Sequence, residues 1–266
     1  MAVKGKSAAA MERPGAPALE KGLDLLEALA EESDGLSQKA LADKIGRSVS
    51  EIFRMLSVLE QRGYVVRDAD TGQYALSLRL FELVNQHPPM RRLQRAALQA
   101  MEALVAEIGH SCHLVAMNSG RFTVVSQSEP DRLMGWTVKL GGNVALSSHY
   151  ASARVMSAFQ LPERRAEMAS QMARQDGIGD ASALLERLQR ISEDGYEIAP
   201  SDAAYGVVDV SVPILNQFGV AVAALTVPAM TQPGVDLMKD VALREKILEA
   251  TQRAAKQISC AVGNVG

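Results

Sequence analysis

The chain of 266 residues has a mass of 28.5 kDa, is 47% hydrophobic and 22% charged, and is long enough to bury a core in each of two domains. No apolar run approaches the roughly 20 residues needed to span a bilayer, and two cysteines, Cys112 and Cys260, are too few for a disulfide framework. We therefore expect a cytoplasmic protein without a structural metal or cofactor. The formal net charge of −3 gives no overall sign of nucleic-acid binding, which a strongly basic domain would show.

The chain changes character near residue 86, and this change predicts two domains. Residues 1–17 are rich in Ala, Gly and Pro and are predicted to form a disordered arm. Helical patterns and a hairpin fill residues 18–85, a linker and the start of a linker helix fill 86–98, and a longer α/β pattern fills 99–266. The boundary lies at Pro88 and Pro89, because paired prolines disfavour a continuous helix and favour extended backbone before them.

Three helical patterns open the first domain. Leu19, Leu23, Leu26 and Ala30 recur at helical spacing and define the first helix. The second is short, is capped by Ser37 and ends at Gly46. The third begins at Ser48, which can form a capping box with Glu51, and runs to about Arg62. Its predicted inward side chains are Ile52, Met55, Leu56 and Leu59.

Two β-prone stretches follow Gly63 and predict a hairpin, Tyr64–Arg67 and Gln73–Leu76, joined by a polar turn. Three helices, with one or two residues between the second and third, followed by a hairpin are the order of a winged helix-turn-helix. In that motif the third helix enters a major groove of DNA. Between Ser37 and Arg67 six basic and three acidic side chains leave a surplus of three positive charges, which suits a face that meets phosphate.

Several blocks of sequence closely resemble the IclR-type bacterial transcription regulators. They include Gly22-Leu23-Asp24-Leu25-Leu26, Leu41-Ala42-Asp43-Lys44-Ile45-Gly46, the segment Gly206–Ile214 and the segment Val222–Val227. The resemblance implies an N-terminal winged helix-turn-helix that is mainly α, a linker helix, and a C-terminal α+β effector-binding domain of the GAF-like type. It also implies homodimers or homotetramers and no catalysis.

The predicted DNA contacts centre on the third helix. Arg54 faces away from the inward Met55 and Leu56, so it is either a phosphate or guanine contact or a solvated surface arginine; the resemblance favours DNA. The first turn holds Ser48, Val49 and Ser50, whose amides and hydroxyls can meet phosphate, although Ser48 can equally act as a cap. Basic residues of the same stretch complete the prediction: Lys39, Arg47 and Arg67. For Glu51 a capping role is favoured over a contact to cytosine, because DNA phosphates repel a carboxylate.

The second domain has the pattern of an α+β ligand sensor. A helix is predicted from about Arg91 to Ile108, and a last helix from about Val235 to Val262. Between them two predicted hairpins enclose three further helical patterns: Tyr150–Gln160, Pro162–Gln175 and Ala181–Glu193.

Ser147, Ser148 and His149 precede one of these helices, and their free amides and hydroxyls suit an anionic ligand group or, equally, an ordinary helix cap. The resemblance implies an effector pocket built around this segment and the later strands, which adds Asp209, Ser211 and Thr226 as candidates. Asp209 stands where the family commonly has cysteine, and a carboxylate there would repel an acid and favour a phenolic or hydroxylated effector. Side chains for an apolar wall, or alternatively for core or dimer packing, are Met134, Trp136 and Leu140.

These patterns lead to one main hypothesis and two alternatives. The main hypothesis is a ligand-responsive regulator of a catabolic operon, whose partners are a palindromic double-stranded DNA operator, a small organic effector and further copies of itself. The first alternative is a GAF-type sensor that acts through protein partners rather than DNA. The second is a hydrolase using Ser147 or Ser148 with His149 and Asp209. It is disfavoured because no nucleophile-elbow pattern is present and adjacent Ser148 and His149 cannot easily act as nucleophile and base.

Overall fold

The computed structural model describes residues 16–86, 88–118, 121–131, 136–230 and 237–263, and the chain divides into two compact units between residues 87 and 88. All of the predicted arm except its last two residues lies outside the described part of the chain. Among the described residues, no helix combines the length and the apolar content needed to cross a membrane.

The N-terminal unit is a small helical domain with a two-stranded hairpin. Its elements are α1 (Pro17–Ala30), α2 (Gln38–Lys44), α3 (Val49–Gln61), β1 (Val65–Arg67), β2 (Tyr74–Leu76) and α4 (Arg79–Gln86). The two strands pair antiparallel, with Val66 opposite Ala75. The core contains side chains from all three leading helices: Leu25, Leu29, Leu41, Ile52 and Leu56. The predicted order of three helices and a hairpin is therefore confirmed.

Local capping signals place α2 and α3. The Ser37 hydroxyl accepts a hydrogen bond from the Ala40 amide at 3.2 Å and starts α2. At the start of α3 the Ser48 hydroxyl accepts from the Glu51 amide, and the Glu51 carboxylate accepts from the Ser48 amide at 3.0 Å. This reciprocal arrangement is the predicted capping box, and it satisfies two backbone donors that a helix start leaves free.

Two features of this unit differ from the prediction. Most of the stripe used to identify α1 faces away from the core: Leu19 is 63% exposed and Leu23 is 48% exposed, Leu26 is partly buried against the core, and Leu25 and Leu29 are the buried leucines. Helix α1 is apolar on two sides, so periodicity alone cannot tell which side is covered. Helix α4 was not predicted; it begins after Ser77, whose hydroxyl accepts from the Arg79 amide at 3.0 Å.

The C-terminal unit is a sheet with helices on both faces. Its helices are α5 (Pro88–Ile108), α6 (Ala151–Ala158), α7 (Pro162–Gln175), α8 (Ser182–Asp194) and α9 (Val241–Gly263). Its strands are β3 (Cys112–Asn118), β4 (Arg121–Ser128), β5 (Asn143–Ala145), β6 (Glu197–Pro200), β7 (Val207–Leu215) and β8 (Ala221–Met230). All paired neighbours in the order β5-β4-β3-β8-β7-β6 are antiparallel, which confirms the α+β layout.

Successive side chains of each strand enter different cores, because strand side chains alternate between the two faces of a sheet. Leu114, Val210 and Leu225 pack in the core that contains residues of α5 and α9. Val115 and Ala224 pack in the core that contains residues of α6, α7 and α8. Polar side chains that belong to this second face are therefore directed towards the α6 side.

The two long helices begin at positions other than those predicted. Helix α5 begins at Pro88 rather than at Arg91, since proline is tolerated in the first turn, where no amide donor is needed. Helix α9 begins at Val241, six residues after the predicted start. The Asp240 carboxylate accepts from the Leu243 amide at 3.0 Å and caps this later start.

Candidate functional site

Helix α3 exposes one face along its length. Ile52 and Leu56 are buried in the domain core. Ser50, Phe53 and Arg54, which are three and four positions apart, are exposed on the face of the helix turned away from this core. A 13-residue helix is about 20 Å long, which is long enough to cross a DNA major groove. Residues of this exposed face are thus placed to contact a partner.

Three of the predicted DNA-contacting cations are available for such a partner. Lys39, Arg47 and Arg54 are exposed, and none has an ion-pair partner among the residues that the structure describes. Lys44, by contrast, lies 2.6 Å from a carboxylate oxygen of Glu32, and this hydrogen bond raises the pKa of Lys44. The free cations therefore belong to α2, α3 and the segment between them.

Arg67 also lies on the surface but is held against its own hairpin. Its guanidinium carbon lies 5.5 Å from the centre of the Tyr74 ring, and its Nε donates to the Gly72 carbonyl at 3.4 Å. Both contacts orient the positive charge along the hairpin that forms the wing.

Glu51 is fully engaged at the start of α3. One carboxylate oxygen accepts from the Ser48 amide and hydroxyl, and the other accepts from the Lys21 ammonium at 3.1 Å. Hydrogen bonds from Ser48 and then from Lys21 lower the pKa of Glu51 to about 2. The Ser48 hydroxyl also lies 3.2 Å from that of Ser50. Ser48 therefore performs the capping role, and Glu51 is paired with Lys21 and Ser48 of its own domain.

The C-terminal unit contains a cavity of about 440 Å³ on the α6 side of its sheet. Side chains from β3, β4, β7 and β8 contribute to its lining together with the segment that carries Trp136. Of the candidate effector residues, Trp136, Asp209 and Thr226 line this cavity. Met134 lies outside the described residues.

Asp209 is the acidic group of this cavity. It lies opposite Pro228 of β8 and is half-buried. Burial raises the pKa of the Asp209 carboxyl, and the hydrogen bond from Ser201 opposes that rise. A half-buried carboxyl in an apolar cavity is suited to accept a hydrogen bond from a ligand hydroxyl or amine.

His113 is a buried imidazole of the cavity lining, which also contains the exposed Lys139, and neither residue was predicted as a site residue. His113 is 8% exposed, and its Nδ1 atom is buried without a hydrogen-bond partner among the described residues. Burial lowers the pKa of His113 to about 4, so the imidazole is neutral at pH 7. A buried nitrogen without a hydrogen-bond partner lowers the stability of the folded protein unless a ligand forms that hydrogen bond.

The register of the sheet explains why His113 belongs to this site. His113 lies opposite Thr226, and Thr226 lies opposite Ser211. The Ser211 and Thr226 hydroxyls are 2.8 Å apart, and Ser211, although predicted as an effector contact, is fully buried and is not among the residues that line the cavity. The pairing of β3 with β8 joins residues more than a hundred positions apart, so no local sequence signal could have revealed it.

The segment before α6 does not contribute the predicted side chains to the cavity. The Ser148 amide and hydroxyl both donate to the Asp176 carboxylate, at 2.7 and 2.5 Å, and His149 Nε2 lies 3.9 Å from the same carboxylate. Although burial raises the pKa of Asp176, hydrogen bonds from Ser148 and Ser147 lower it below its ordinary value.

Ser147, Ser148, His149 and Leu140 are therefore absent from the residues that line the cavity. The next residues along the chain, Tyr150, Ala151 and Ser152, line it instead. The arrangement predicted for a hydrolase is likewise missing, because His149 is directed to Asp176 while Asp209 lines the cavity.

Comparison with known protein families identifies both units. The model of the IclR helix-turn-helix domain matches residues 18–69, and the model of the bacterial transcriptional regulator IclR C-terminal domain matches residues 90–260. The chain belongs to the IclR family. Members of this family are DNA-binding transcription regulators, and the N-terminal unit is its helix-turn-helix domain.

Curated relatives support the same assignment across most of the chain. The HTH-type transcriptional regulator KdgR of Dickeya chrysanthemi is 26% identical over 212 residues, which cover 78% of this chain and 68% of that protein. The HTH-type transcriptional repressor AllR of Escherichia coli is 23% identical over 254 residues, which cover 94% and 91% of the two chains. These IclR-family relatives are named as regulators of transcription.

Solved IclR structures share the fold. An IclR homologue from Microbacterium hydrocarbonoxydans, crystallised as a complex with 4-hydroxybenzoate, superimposes with a TM-score of 0.73 at 20% identity, covering 92% of this chain and 98% of that one. HmgR of Pseudomonas aeruginosa superimposes with a TM-score of 0.70 at 25% identity, covering 91% and 99%.

Proposed function

We propose that this IclR-family protein is a repressor of a catabolic operon, that it binds a palindromic operator in the cytoplasm as a dimer or a dimer of dimers, and that a small aromatic or hydroxylated effector changes its affinity for DNA. The observation that carries the proposal is the cavity of the C-terminal unit, in which a half-buried Asp209 and an unsatisfied His113 Nδ1 are combined with an apolar wall.

The DNA-binding part of the proposal assigns α3 to the major groove. Arg54 supplies a guanine or phosphate contact, and Lys39 and Arg47 supply phosphate contacts from α2 and the turn. The first-turn residues Val49 and Ser50 are exposed at the N-terminal end of α3, where backbone amides favour an anionic partner.

An exposed apolar groove supports the proposed oligomer. Within the N-terminal unit, Leu19 and Leu23 of α1, Val58 of α3 and Leu80 of α4 line a surface groove of about 690 Å³, whose lining also includes the cations Arg54 and Arg62. Contiguous apolar surface of this kind is a mark of an interaction site. A second copy of the chain is the simplest occupant, because one helix-turn-helix reads few base pairs and dimers double the contacts.

The chemistry of the cavity supports the proposed class of effector. Phe122 and Trp136 offer an apolar, aromatic wall, and the Asp209 carboxylate accepts a hydrogen bond from a ligand hydroxyl. The Microbacterium relative was crystallised with 4-hydroxybenzoate, a hydroxylated aromatic compound. A carboxylate placed beside Asp209 would be repelled, so we orient the hydroxyl of such a ligand towards Asp209.

Helix α5 is our candidate for the element that transmits ligand binding. Gln94 of α5 donates through its side chain to the Val125 carbonyl of β4 at 3.2 Å, and β4 also carries the cavity residue Phe122. Helix α5 begins at Pro88, directly after the N-terminal unit in sequence. A shift of β4 on ligand binding would therefore move α5, which is joined through the chain to the unit that carries α3.

Fluorescence anisotropy with the DNA upstream of the protein's own gene tests the regulator. We expect tight binding that scrambled DNA does not compete away and that falls steeply with salt, because phosphate contacts release counterions. Absence of sequence-specific binding, with and without small metabolites, would favour a sensor that acts through protein partners.

The intrinsic fluorescence of Trp136 tests the effector site, because Trp136 is the only tryptophan of the chain and lines the cavity. We expect 4-hydroxybenzoate, used as the first probe of a hydroxylated aromatic ligand, to change this fluorescence in a saturable way. Asp209→Asn is expected to weaken binding by about tenfold, the effect of losing one charge-assisted hydrogen bond. Unchanged ligand affinity in this variant would contradict the assigned role of Asp209.

A further inference from the structure

A large aromatic side chain lies exposed on the proposed recognition helix. Phe53 of α3 is 56% exposed, and Val49, one helical turn earlier, is 43% exposed. Residues four apart lie on the same side of a helix, so these two side chains form one apolar stripe at the N-terminal half of α3. Apolar side chains that stay exposed to water contribute no burial free energy to the stability of the N-terminal unit.

Neither the core nor the apolar groove of the N-terminal unit accounts for this stripe. On α3 the core contains Ile52 and Leu56, and the groove is lined by Arg54, Met55, Val58 and Leu59, whereas Phe53 belongs to neither group. Phe53 precedes Arg54, so an apolar and a cationic side chain are exposed side by side.

Polar groups near Phe53 are already engaged within the domain. The Ser57 hydroxyl donates to the Phe53 carbonyl at 3.0 Å, and the Ser50 hydroxyl lies 3.2 Å from that of Ser48. Phe53 and Arg54 therefore remain as side chains that can contact an external partner. The surplus of positive charge between Ser37 and Arg67 favours a negatively charged one.

We propose that Phe53 is a specificity-determining residue that packs against the 5-methyl group of a thymine in the major groove of the operator. That methyl group is the apolar feature that base edges present in the major groove, and phenylalanine is among the side chains that contact it. Arg54, the neighbouring residue, then contacts a guanine or a phosphate close by. The assignment rests on the proposed function, since it requires that α3 enters operator DNA.

The test removes either the methyl group or the aromatic ring. Sites bound by the full-length protein are first selected from random double-stranded DNA. Each thymine of the selected site is then replaced singly by deoxyuridine, which lacks only the methyl group, and affinities are measured by anisotropy for the wild-type protein and for Phe53→Ala.

We expect one thymine in each half-site at which deoxyuridine weakens wild-type binding by about fourfold, the effect of removing one buried methyl group. Phe53→Ala should bind the thymine and deoxyuridine forms of that site equally well. Val58→Ala is the matched control, because it truncates another exposed apolar side chain of α3 that faces the groove, and it should keep the wild-type preference for thymine.

Other outcomes separate this assignment from the proposed function. Specific binding with no deoxyuridine effect at any thymine, or with the same effect in Phe53→Ala, would overturn the role of Phe53 and leave the regulator intact. Failure to select any specific site would overturn both. Circular dichroism of Phe53→Ala confirms that loss of preference does not reflect loss of the fold, since an exposed side chain contributes little to stability.

Discussion

The guanidinium of Arg154 and the carboxylate of Glu197 form a buried ion pair in which the Arg154 Nε lies 2.9 and 2.8 Å from the two carboxylate oxygens. Arg154 lies on α6 and Glu197 on β6, and Arg187 of α8 adds a second cation at 2.7 Å. Arg154 also donates to the Ser148 carbonyl. One buried side chain thus holds α6, β6 and the segment before α6 together, next to the cavity wall formed by Ala151 and Ser152.

Arg154→Ala should destabilise the C-terminal unit by about 3 kcal/mol, because it leaves buried Glu197 with only the half-exposed Arg187 and removes the donor of the Ser148 carbonyl. Arg187→Ala is the control, since this half-exposed arginine is expected to cost about 1 kcal/mol or less. Urea unfolding of the full chain, followed by the fluorescence of Trp136, measures both variants. Equal losses in the two variants would contradict the dominant role of Arg154.

His113 makes stability depend on pH. Its pKa of about 4 in the folded protein lies below the ordinary value of 6.5, so the unfolded chain takes up a proton that the folded chain refuses. Stability is therefore fully present above about pH 6.5 and falls as the pH decreases towards 4, by up to about 3 kcal/mol.

His113→Gln removes this titration and should flatten the dependence. The urea midpoints of the wild-type protein and of His113→Gln are measured between pH 4 and pH 7. The difference between the two midpoints at each pH is due to His113, because all other titrating groups are present in both proteins. If the two curves remain parallel throughout this window, burial does not hold His113 neutral.

Gly35 lies in the turn between α1 and Leu36, which pairs with Tyr74 in an isolated antiparallel β-bridge. Its φ of +77° is left-handed, and a Cβ there would lie 2.7 Å from the Tyr74 carbonyl oxygen. Gly46→Ala is the matched control, since Gly46 has a φ of +65° with open space around it.

Backbone strain should therefore lower the free energy of unfolding of each alanine variant by about 1 kcal/mol. Gly35→Ala should lose more than this, because the Tyr74 carbonyl that its Cβ would meet is backbone and cannot move aside. Thermal unfolding followed by circular dichroism ranks the two. A smaller loss for Gly35→Ala than for Gly46→Ala would contradict the close contact.

Arg54→Ala should weaken operator binding by about tenfold or more while leaving the Trp136 response to ligand unchanged. If Arg54 contacts a phosphate, the slope of log affinity against log salt concentration should fall by about one; if it reads guanine, sequence preference should relax at one position. Arg174→Ala, which removes an exposed arginine of α7 in the other unit, serves as control. Equal operator affinity of wild type and Arg54→Ala would remove Arg54 from the interface.

Local signals in the sequence predicted local structure well. The spacing of Ser48 and Glu51 predicted the capping box, and the positions of Ser37 and Gly46 predicted the limits of α2, because a cap depends on residues within one turn. The order of elements, and with it the fold class, followed from such signals.

The candidate site was harder to predict because it depends on contacts between distant residues. His113 reaches the cavity through its pairing opposite Thr226, and Ser148 is held outside it by Asp176, the residue directly after α7. The outward direction of Leu19 could not be read from periodicity, because α1 has apolar residues on both sides. Only the three-dimensional structure decides which of these faces is covered.

The alternation of side chains along the sheet has a consequence for how this protein can evolve. Neighbouring residues of β3, His113 and Leu114, belong respectively to the cavity and to the core with α5 and α9, and Asp209 and Val210 of β7 divide in the same way. Substitutions at every second position can therefore alter which molecule is recognised without disturbing the layer that holds the long helices. A duplicated gene could acquire a response to a new compound through a few such changes while its fold is retained.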